Sequence, residues 1–287
     1  MNTAEKLLSS DRCQLFKIIA ETVWYRINRK HNLGINDKEI AVTNDIIADI
    51  LEYHQTTLKN FDVYARDSYL ESEYGSDIDV FIETHENKYR WFALQAKLLK
   101  KNKRYNTFRD SSDGTMQWDK LYRLETLTGC KPYYLLYNGN QNNNFNGNDK
   151  CSQNFNEVQF GCSLVEPAII EDLANQRNGR GFISPHYSDI HPNDAQPWKI
   201  LVCCELETDG FKLYTKEEIS KSLSDLKLIS TLKTDADQDV ENDDLSNDKG
   251  TISDSTENPN NPISFGSKEA GWNPSVRIVI NWSSAQE

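Results

Sequence analysis

The sequence predicts an α/β fold in which helices flank a mixed sheet, and three observations carry that prediction. Apolar residues recur at helical spacing over residues 5–30. Residues 76–82 and 89–98 form two runs of strand-like residues joined by a polar, turn-like segment, which is the pattern of a β-hairpin. A helical pattern over residues 114–128, ended by a glycine, precedes the apolar run 133–137. A strand, helix, strand succession of this kind normally closes as a right-handed crossover between parallel strands.

The remaining elements are placed around this centre. A second helix is predicted to begin at Thr43 as its N-cap, and an extended stretch over residues 61–70 follows it. The predicted order is therefore helix, three strands, helix, strand. The Asn-rich stretch 138–148 is predicted to be a loop that is too polar to bury.

Apolar segments continue after this centre and are expected to extend or wrap the sheet. They comprise residues 159–165, 199–205, which are predicted to form a buried strand, and 211–214. Residues 277–282 are predicted to form a final strand. The predicted organisation is an N-terminal helical segment (1–42), an α/β domain (43–230), an acidic disordered segment (231–264) and a C-terminal strand returning to the body (265–287).

The charge of the chain is unevenly distributed. Residues 234–257 contain nine acidic residues and one lysine, so this segment contributes −8 of the net charge of −12. The rest of the chain is only mildly acidic and can bind nucleic acid if its basic groups are clustered. The acidic segment is interpreted as solvated chain, with a linker or an autoinhibitory DNA mimic as alternatives.

Composition and motifs also bound the cellular setting. No run approaches the roughly 20 apolar residues that span a bilayer, and the first residues lack the order of a secretion signal. We therefore expect a cytoplasmic protein with no membrane partner. Six cysteines form no C-x-x-C pair, which argues against a zinc site, and adjacent Cys203 and Cys204 are interpreted as reduced core thiols. The five histidines form no ligand pattern.

The hairpin brings three polar residues together. Side chains alternate along a strand, so Asp77 and Asp79 share one face, and Gln95 and Lys97 share one face. If the turn is centred on Glu86, antiparallel partners have residue numbers that add up to 172, and Asp77 lies opposite Gln95. Lys97 then lies one pleat beyond. A slip of one residue would undo the arrangement.

These residue types suit the hydrolysis of a phosphodiester. The carboxylate of Asp77 and the amide oxygen of Gln95 are ligands for Mg²⁺, or Mn²⁺, and Lys97 can orient or deprotonate the attacking water. A second carboxylate would help complete the metal shell, and its candidates are Glu71, Glu73 and Asp79. A basic cluster directly downstream is predicted to hold a nucleic-acid backbone; it comprises Lys100, Lys101, Lys103 and Arg104, with Arg109 close behind.

Asp-x(17)-Gln-x-Lys across two strands, followed by a helix and an apolar strand, resembles the PD-(D/E)XK nuclease superfamily, with Gln95 in place of the usual acid. Residues 43–138 resemble more narrowly an uncharacterised bacterial restriction-endonuclease-like family. The residues that match its motifs are Glu71, Gly75-Ser76-Asp77, Gln95-Ala96-Lys97, Gln117 and Tyr137-Asn138. The family's acidic residue near the start of the preceding helix is Asn44 in this chain, and no role is assigned there.

The resemblance implies a restriction-endonuclease-like mixed sheet with an α-β-β-β-α-β core, flanked by helices and carrying additional C-terminal strands. It implies that Asp77, Gln95 and Lys97 are catalytic, that Glu71 and Gln117 support them, and that Mg²⁺ is the cofactor. The implied partner is nucleic acid, DNA before RNA, and a homodimer is left open. Defence against phage is a further implication by analogy.

Two rival functions remain open. A degenerate nuclease fold that binds without cleaving would carry the same motifs. Gly75-Ser76-Asp77-Ile78-Asp79 also resembles the Gly-Ser turn and Asp-x-Asp strand of nucleotidyltransferases. In that family about ten residues separate the two motifs, whereas in this sequence they abut, and the family leaves Gln95 and Lys97 unexplained.

Overall fold

The chain divides into two compact units, Met1–Leu213 with Asn273–Glu287, and Tyr214–Trp272. A computed structural model of the chain describes the backbone of residues 3–56, 71–83, 88–109, 111, 114–139, 146–148, 154–178, 181–203, 211–237 and 276–280. Within these ranges the side chains of residues 3–12, 50–56, 71, 72, 83, 146–148, 154, 203, 227–237 and 276–280 are not described.

The first unit contains six α-helices, two short 3-10 helices (Glu157–Gly161 and Tyr187–Asp189) and ten strands within the described ranges. The helices are α1 (Thr3–Asn32), α2 (Glu39–Thr56), α3 (Glu71–Tyr74), α4 (Gln117–Thr128), α5 (Pro167–Ala174) and α6 (Ile200–Cys203). The strands are β1 (Ile78–Glu83), β2 (Tyr89–Leu98), β3 (Lys131–Tyr137), β4 (Asn146–Asn148), β5 (Asn154–Asn156), β6 (Cys162–Val165), β7 (Arg177–Asn178), β8 (Gly181–Phe182), β9 (Gln196–Pro197) and β10 (Val276–Ile280).

Six of these strands form one mixed sheet in the order β10-β1-β2-β3-β6-β9. β1 runs antiparallel to β2 and parallel to β10, and β2 runs parallel to β3. β6 pairs antiparallel with both β3 and β9. The chain passes from β2 to β3 through α4, so the predicted hairpin, crossover helix and parallel strand are all confirmed, as is the final strand β10.

Helices cover both faces of the sheet, and each face has its own apolar core. On one face α1, α2 and α6 pack against alternate residues of the strands, including Val80, Leu94 and Leu135. On the other face α4 and α5 pack against the intervening positions, including Tyr134 and Leu136. The α/β class with a helix-flanked mixed sheet is thus confirmed, because both faces of the central strands are buried.

α4 ends directly before Gly129, as the sequence predicts. Gly129 adopts the left-handed conformation with φ of 82°, and its N–H donates to the carbonyl of Glu125. The helix begins at Gln117, three residues later than predicted. The chain therefore has an irregular stretch between β2 and α4.

Three local predictions are wrong. α2 begins at Glu39, and Thr43 lies inside the helix, where its hydroxyl donates to the carbonyl of Glu39 and contacts Tyr137 Oη at 2.8 Å. Residues 200–203 form the short helix α6 rather than a strand. Asn138 is fully buried, although the Asn-rich stretch was expected to remain exposed. For Thr43 and Asn138 a long-range contact outweighs the local signal, whereas the apolar run 200–203 fits a buried helix as well as a buried strand.

Several predicted segments lie outside the described residues. These are the extended stretch 61–70, most of the hairpin turn, and the acidic segment beyond residue 237. The second unit is represented by α7 (Lys216–Asp237), which covers the start of the acidic segment. Reciprocal hydrogen bonds between Thr215 and Glu218 cap the start of that helix.

Among the described residues, none of the helices is long and apolar enough to cross a membrane. Cys130 and Cys162 are buried free thiols, whereas Cys13 is disulfide-bonded. The side chains of Cys203 and Cys204 lie outside the described part of the chain.

Candidate active site

Asp77 and Gln95 face each other across the start of the β1–β2 pair. The observed partners Ile78↔Leu94 and Asp79↔Ala93 have the predicted register, and the N–H of Asp77 donates to the Leu94 carbonyl at 2.9 Å. Gln95 Nε2 donates to Oδ2 of Asp77, which also accepts from the N–H of Ala96 at 2.7 Å. The hairpin register thus fixes one oxygen of the Asp77 carboxylate between two donors.

Lys97 follows on the same face of β2, one pleat beyond Gln95. Its side chain is buried, with the residue only 4% exposed. It forms no hydrogen bond or ion pair with any residue that the structure describes, Asp77 included. Burying an ammonium without a counter-charge is costly, so this position favours an anion as its partner.

Three buried polar atoms on β2, on β3 and at the start of α4 have no hydrogen-bond partner among the described residues: Gln95 Oε1, Tyr134 Oη and Gln117 Oε1. Tyr134 lies beside Gln95 in the β2–β3 register, so its ring shares the face that carries the pair. Burial raises the pKa of Tyr134, and the nearby Asp77 carboxylate adds to that rise. Buried polar groups are normally satisfied, so each of these three atoms is a candidate contact for a ligand or a water.

Gly75 brings α4 against the residues that precede β1. Its φ is +67°, and a Cβ at this position would lie 2.9 Å from both the carbonyl oxygen of Gln117 and the Cβ of Lys120. Only glycine fits this left-handed conformation and this close approach without strain. The first turn of α4 is therefore seated directly beside the Gly75-Ser76-Asp77 segment.

The candidates for a second carboxylate differ in their surroundings. Glu73 lies 4.0 Å from Arg123 on α4 and is partly exposed. Asp79 is fully buried and accepts a hydrogen bond from Trp91 Nε1 at 3.0 Å. It lies opposite Ala93, so it is further along the sheet from Lys97 than Asp77 is. The side chain of Glu71 lies outside the described residues. In the described part of the chain no three His, Cys, Asp or Glu side chains cluster as a metal site.

The predicted basic cluster forms a tight turn directly after β2. Lys103 has a φ of 61°, and its N–H donates to the Lys100 carbonyl at 2.8 Å. Lys101 is exposed, and Lys100, Lys103 and Arg104 are partly exposed. The turn therefore presents its four cations at the carboxyl end of the strand that carries Gln95 and Lys97.

A second buried polar network, which the sequence did not reveal, lies on the same face of the sheet. Asn138 accepts from Tyr105 Oη and donates to Ser163 Oγ at 3.0 Å. Ser163 Oγ in turn contacts His191 Nε2 at 2.8 Å, and Tyr187 stacks on the His191 ring with centroids 4.1 Å apart. Burial lowers the pKa of His191 to about 3, so the ring is neutral.

This network lies two strands from the candidate trio. Lys97 pairs with Leu136 and Leu136 pairs with Ser163, which places Lys97 and Ser163 roughly 10 Å apart at ordinary strand spacing. Its groups are all satisfied internally, so its role is to hold the end of β3 and the segment around His191 in place. The sequence signalled Asn138 by its place directly after the apolar strand β3 and by the Tyr137-Asn138 motif, but it gave no sign of Ser163 or His191.

Comparison with known proteins identifies a family whose function is unknown. A family model described as a family of unknown function (DUF6615) matches residues 12–273. No curated protein matches the chain, and no solved structure does. The chemistry must therefore be inferred from the residues themselves.

Proposed function

The chain belongs to that family, DUF6615, and we propose that it is a metal-dependent nuclease that hydrolyses phosphodiester bonds, with DNA as the expected substrate. The observation that carries this proposal is the contact between Asp77 and Gln95, with Lys97 buried on the same strand face. An acid and an amide oxygen suit a hard metal ion, and a lysine beside them suits a phosphate.

The donor set fits Mg²⁺ or Mn²⁺. Magnesium is usually held by one or two carboxylates and keeps several waters and substrate oxygens as its other ligands. Asp77 supplies a carboxylate, and Gln95 Oε1 is a buried acceptor beside it that no described residue uses. Glu71 or Glu73 would supply the second carboxylate. A metal bound there would polarise the phosphate and lower the pKa of a bound water.

Lys97 has the properties of a residue that works on an anion. The residue is 4% exposed, and its ammonium makes no ion pair with a described carboxylate, so a phosphate is a suitable partner for it. In this role Lys97 orients the attacking water and offsets charge that develops on the phosphate oxygens. Gln117 Oε1 and Tyr134 Oη, also without described partners, would hold the water or the substrate in position.

The finer fold assignment belongs to the same proposal. In this proposal the β1–β2 hairpin, the crossover helix α4 and the parallel strand β3 are the later part of an α-β-β-β-α-β core of the restriction-endonuclease-like kind. The first strand of that core would fall in residues 61–70, outside the described part of the chain. A role in defence against foreign nucleic acid follows by analogy with that superfamily.

The nucleotidyltransferase alternative is disfavoured by the surroundings of Gly75 and Ser76. A Gly-Ser turn binds phosphates only if they can approach its backbone, and here α4 closes on Gly75. The hydroxyl of Ser76 is buried and donates to the Ile78 carbonyl at 3.1 Å. This turn is packed against the protein rather than open to a nucleotide.

One observation favours the alternative that the chain binds nucleic acid without cleaving it. Among the described residues, no three acidic, His or Cys side chains cluster as a metal site. Cleavage assays on DNA and RNA panels, with Mg²⁺, Mn²⁺ or EDTA, separate it from the nuclease. Asp77→Asn and Lys97→Met should abolish cleavage, whereas Lys38→Met, which changes an exposed lysine directly before α2, should not. Nucleic-acid binding without metal-dependent cleavage by the wild type would favour the binding module.

A further inference from the structure

Two arginines share one exposed aromatic ring at the β7–β8 hairpin. The guanidinium carbon of Arg109 lies 3.6 Å from the ring centroid of Phe182, and that of Arg177 lies 4.1 Å from it. The two guanidinium carbons are therefore at most 7.7 Å apart. Phe182 is 43% exposed, so the arrangement lies at the surface.

Neither arginine has a carboxylate partner within the described part of the chain. Arg109 Nη1 donates to the amide oxygen of Asn175 at 2.6 Å, and Arg177 makes no described ion pair. Two like charges this close repel each other unless an anion lies between or beside them. The arrangement thus holds two planar guanidiniums ready for an anionic group, which arginine binds with paired hydrogen bonds.

The arginine pair is continuous with the basic turn after β2. The N–H of Tyr105 donates to the Pro185 carbonyl at 2.9 Å, and the N–H of Tyr187 donates to the Lys103 carbonyl at 2.9 Å. Arg104 Nη1 donates to the Ser184 carbonyl at 2.5 Å. Residues 100–109 are thereby bound to the segment that follows β8.

These two segments are unusual in an acidic chain. Residues 100–109 and 175–187 contain no aspartate or glutamate, although the whole chain has a net charge of −12. Acids flank both segments: Asp110 directly follows Arg109, and Glu171 and Asp172 precede Asn175 in the chain. The carboxylate of Asp189 accepts from the N–H of His186, and Glu157 lies near Lys103. Two acid-free segments that bind each other gather cations on one part of the molecule, and the described residues 100–109, 175–178 and 181–187 are here named the basic surface.

The basic surface lies beside the candidate active site. Arg109 is 5.9 Å from the ring of Trp118, the residue after Gln117, and the Gln117 carbonyl faces Gly75. The arginine pair therefore flanks the first turn of α4, and the basic turn follows the strand of Gln95 and Lys97.

We infer that Arg109 and Arg177, held by Phe182, bind the phosphodiester backbone of a nucleic-acid strand and, with the basic turn, guide it to Asp77 and Lys97. The inference rests on the proposed function and names a second contact with the same substrate. Backbone contacts of this kind position a strand without reading its sequence. Phe182 acts as a positioning residue, because it sets the spacing of the two guanidiniums.

Binding measured without cleavage tests the inference. A labelled DNA duplex and its single strand are titrated in EDTA or Ca²⁺ over a salt series. We expect Arg177→Glu to weaken binding by about tenfold and to reduce the salt slope by about one phosphate contact. Phe182→Ala should have a smaller effect of the same kind. Arg29→Glu, a matched change at an exposed arginine on α1, should bind like the wild type.

The outcomes separate this inference from the proposed function. Suppose that Arg177→Glu binds DNA as tightly as Arg29→Glu does, while Lys97→Met has no cleavage activity. The inference about the basic surface is then wrong, and the proposed nuclease activity is supported. If Arg177→Glu weakens binding but no metal supports cleavage by the wild type, the surface stands and the nuclease is wrong. If the wild type binds neither DNA form at low salt, the inference is overturned together with the DNA substrate. Because Arg177 is exposed, its variant should keep the fold.

Discussion

Gln95 donates from Nε2 to the Oδ2 atom of Asp77 and leaves its own Oε1 buried without a described partner. One amide thus holds the carboxylate in place and presents a free oxygen beside it. An apolar core would gain nothing from this arrangement, since a buried unsatisfied oxygen costs about 1–3 kcal/mol. The predictions below follow from this pair and the residues around it.

Gln95→Glu should convert the pair into two carboxylates. Like charges in contact raise the pKa of one of them and destabilise the protein without metal at neutral pH. Mg²⁺ would relieve that repulsion, so the melting temperature of the variant should rise more with added Mg²⁺ than that of the wild type. Thermal unfolding with and without Mg²⁺ measures this. Equal shifts in both proteins would count against a metal at this pair.

Gly75→Ala should destabilise the fold by about 2–4 kcal/mol, because a Cβ there meets the Gln117 carbonyl at 2.9 Å and also strains a left-handed residue. Gly114→Ala is the matched control, since Gly114 has a φ of +83° with nothing within 4 Å of its Cβ position. Its cost should be about 1 kcal/mol. Urea unfolding compares the two, and equal losses would mean that the contact between Gly75 and α4 contributes little.

Tyr134→Phe should leave stability unchanged or slightly improved, because the hydroxyl that it removes has no described partner. Cleavage should nevertheless fall if Tyr134 Oη contacts water or substrate in the active site. Tyr105→Phe provides the contrast: its hydroxyl donates to Asn138, so its loss should cost about 1–2 kcal/mol. A Tyr134→Phe enzyme with full activity would remove this hydroxyl from the site.

His191 should make stability fall in acid. Burial holds its pKa at about 3, against 6.5 for a free imidazole, so the unfolded state binds its proton first. Its contribution is complete above pH 6.5 and is lost as the pH falls towards 3, by up to about 1.4 kcal/mol per pH unit. Urea unfolding across this range should show a flatter dependence for His191→Gln. A parallel dependence in both proteins would show that His191 titrates normally.

The extent to which the sequence predicts this fold depends on the range of the interactions. The hairpin register follows from alternation and a short turn, so Asp77 and Gln95 could be paired without a structure. The start of α2 could not be predicted in this way, because Thr43 contacts Tyr137, which is 94 residues away in the chain. The apolar run before Cys203 fits a buried helix as well as a buried strand. The buried role of His191 could not be predicted either, because its contacts Ser163 and Asn138 come from distant parts of the chain.

The most direct test of the proposed nuclease is cleavage of DNA by the purified chain and by Lys97→Met, each with Mg²⁺ or Mn²⁺ and with EDTA. The side chain of methionine is similar in length to that of lysine but lacks the charge, so the variant should remain folded, which thermal unfolding checks. We expect metal-dependent cleavage by the wild type and a loss of at least about a hundredfold in Lys97→Met. A folded Lys97→Met protein that cleaves at the wild-type rate would contradict the account.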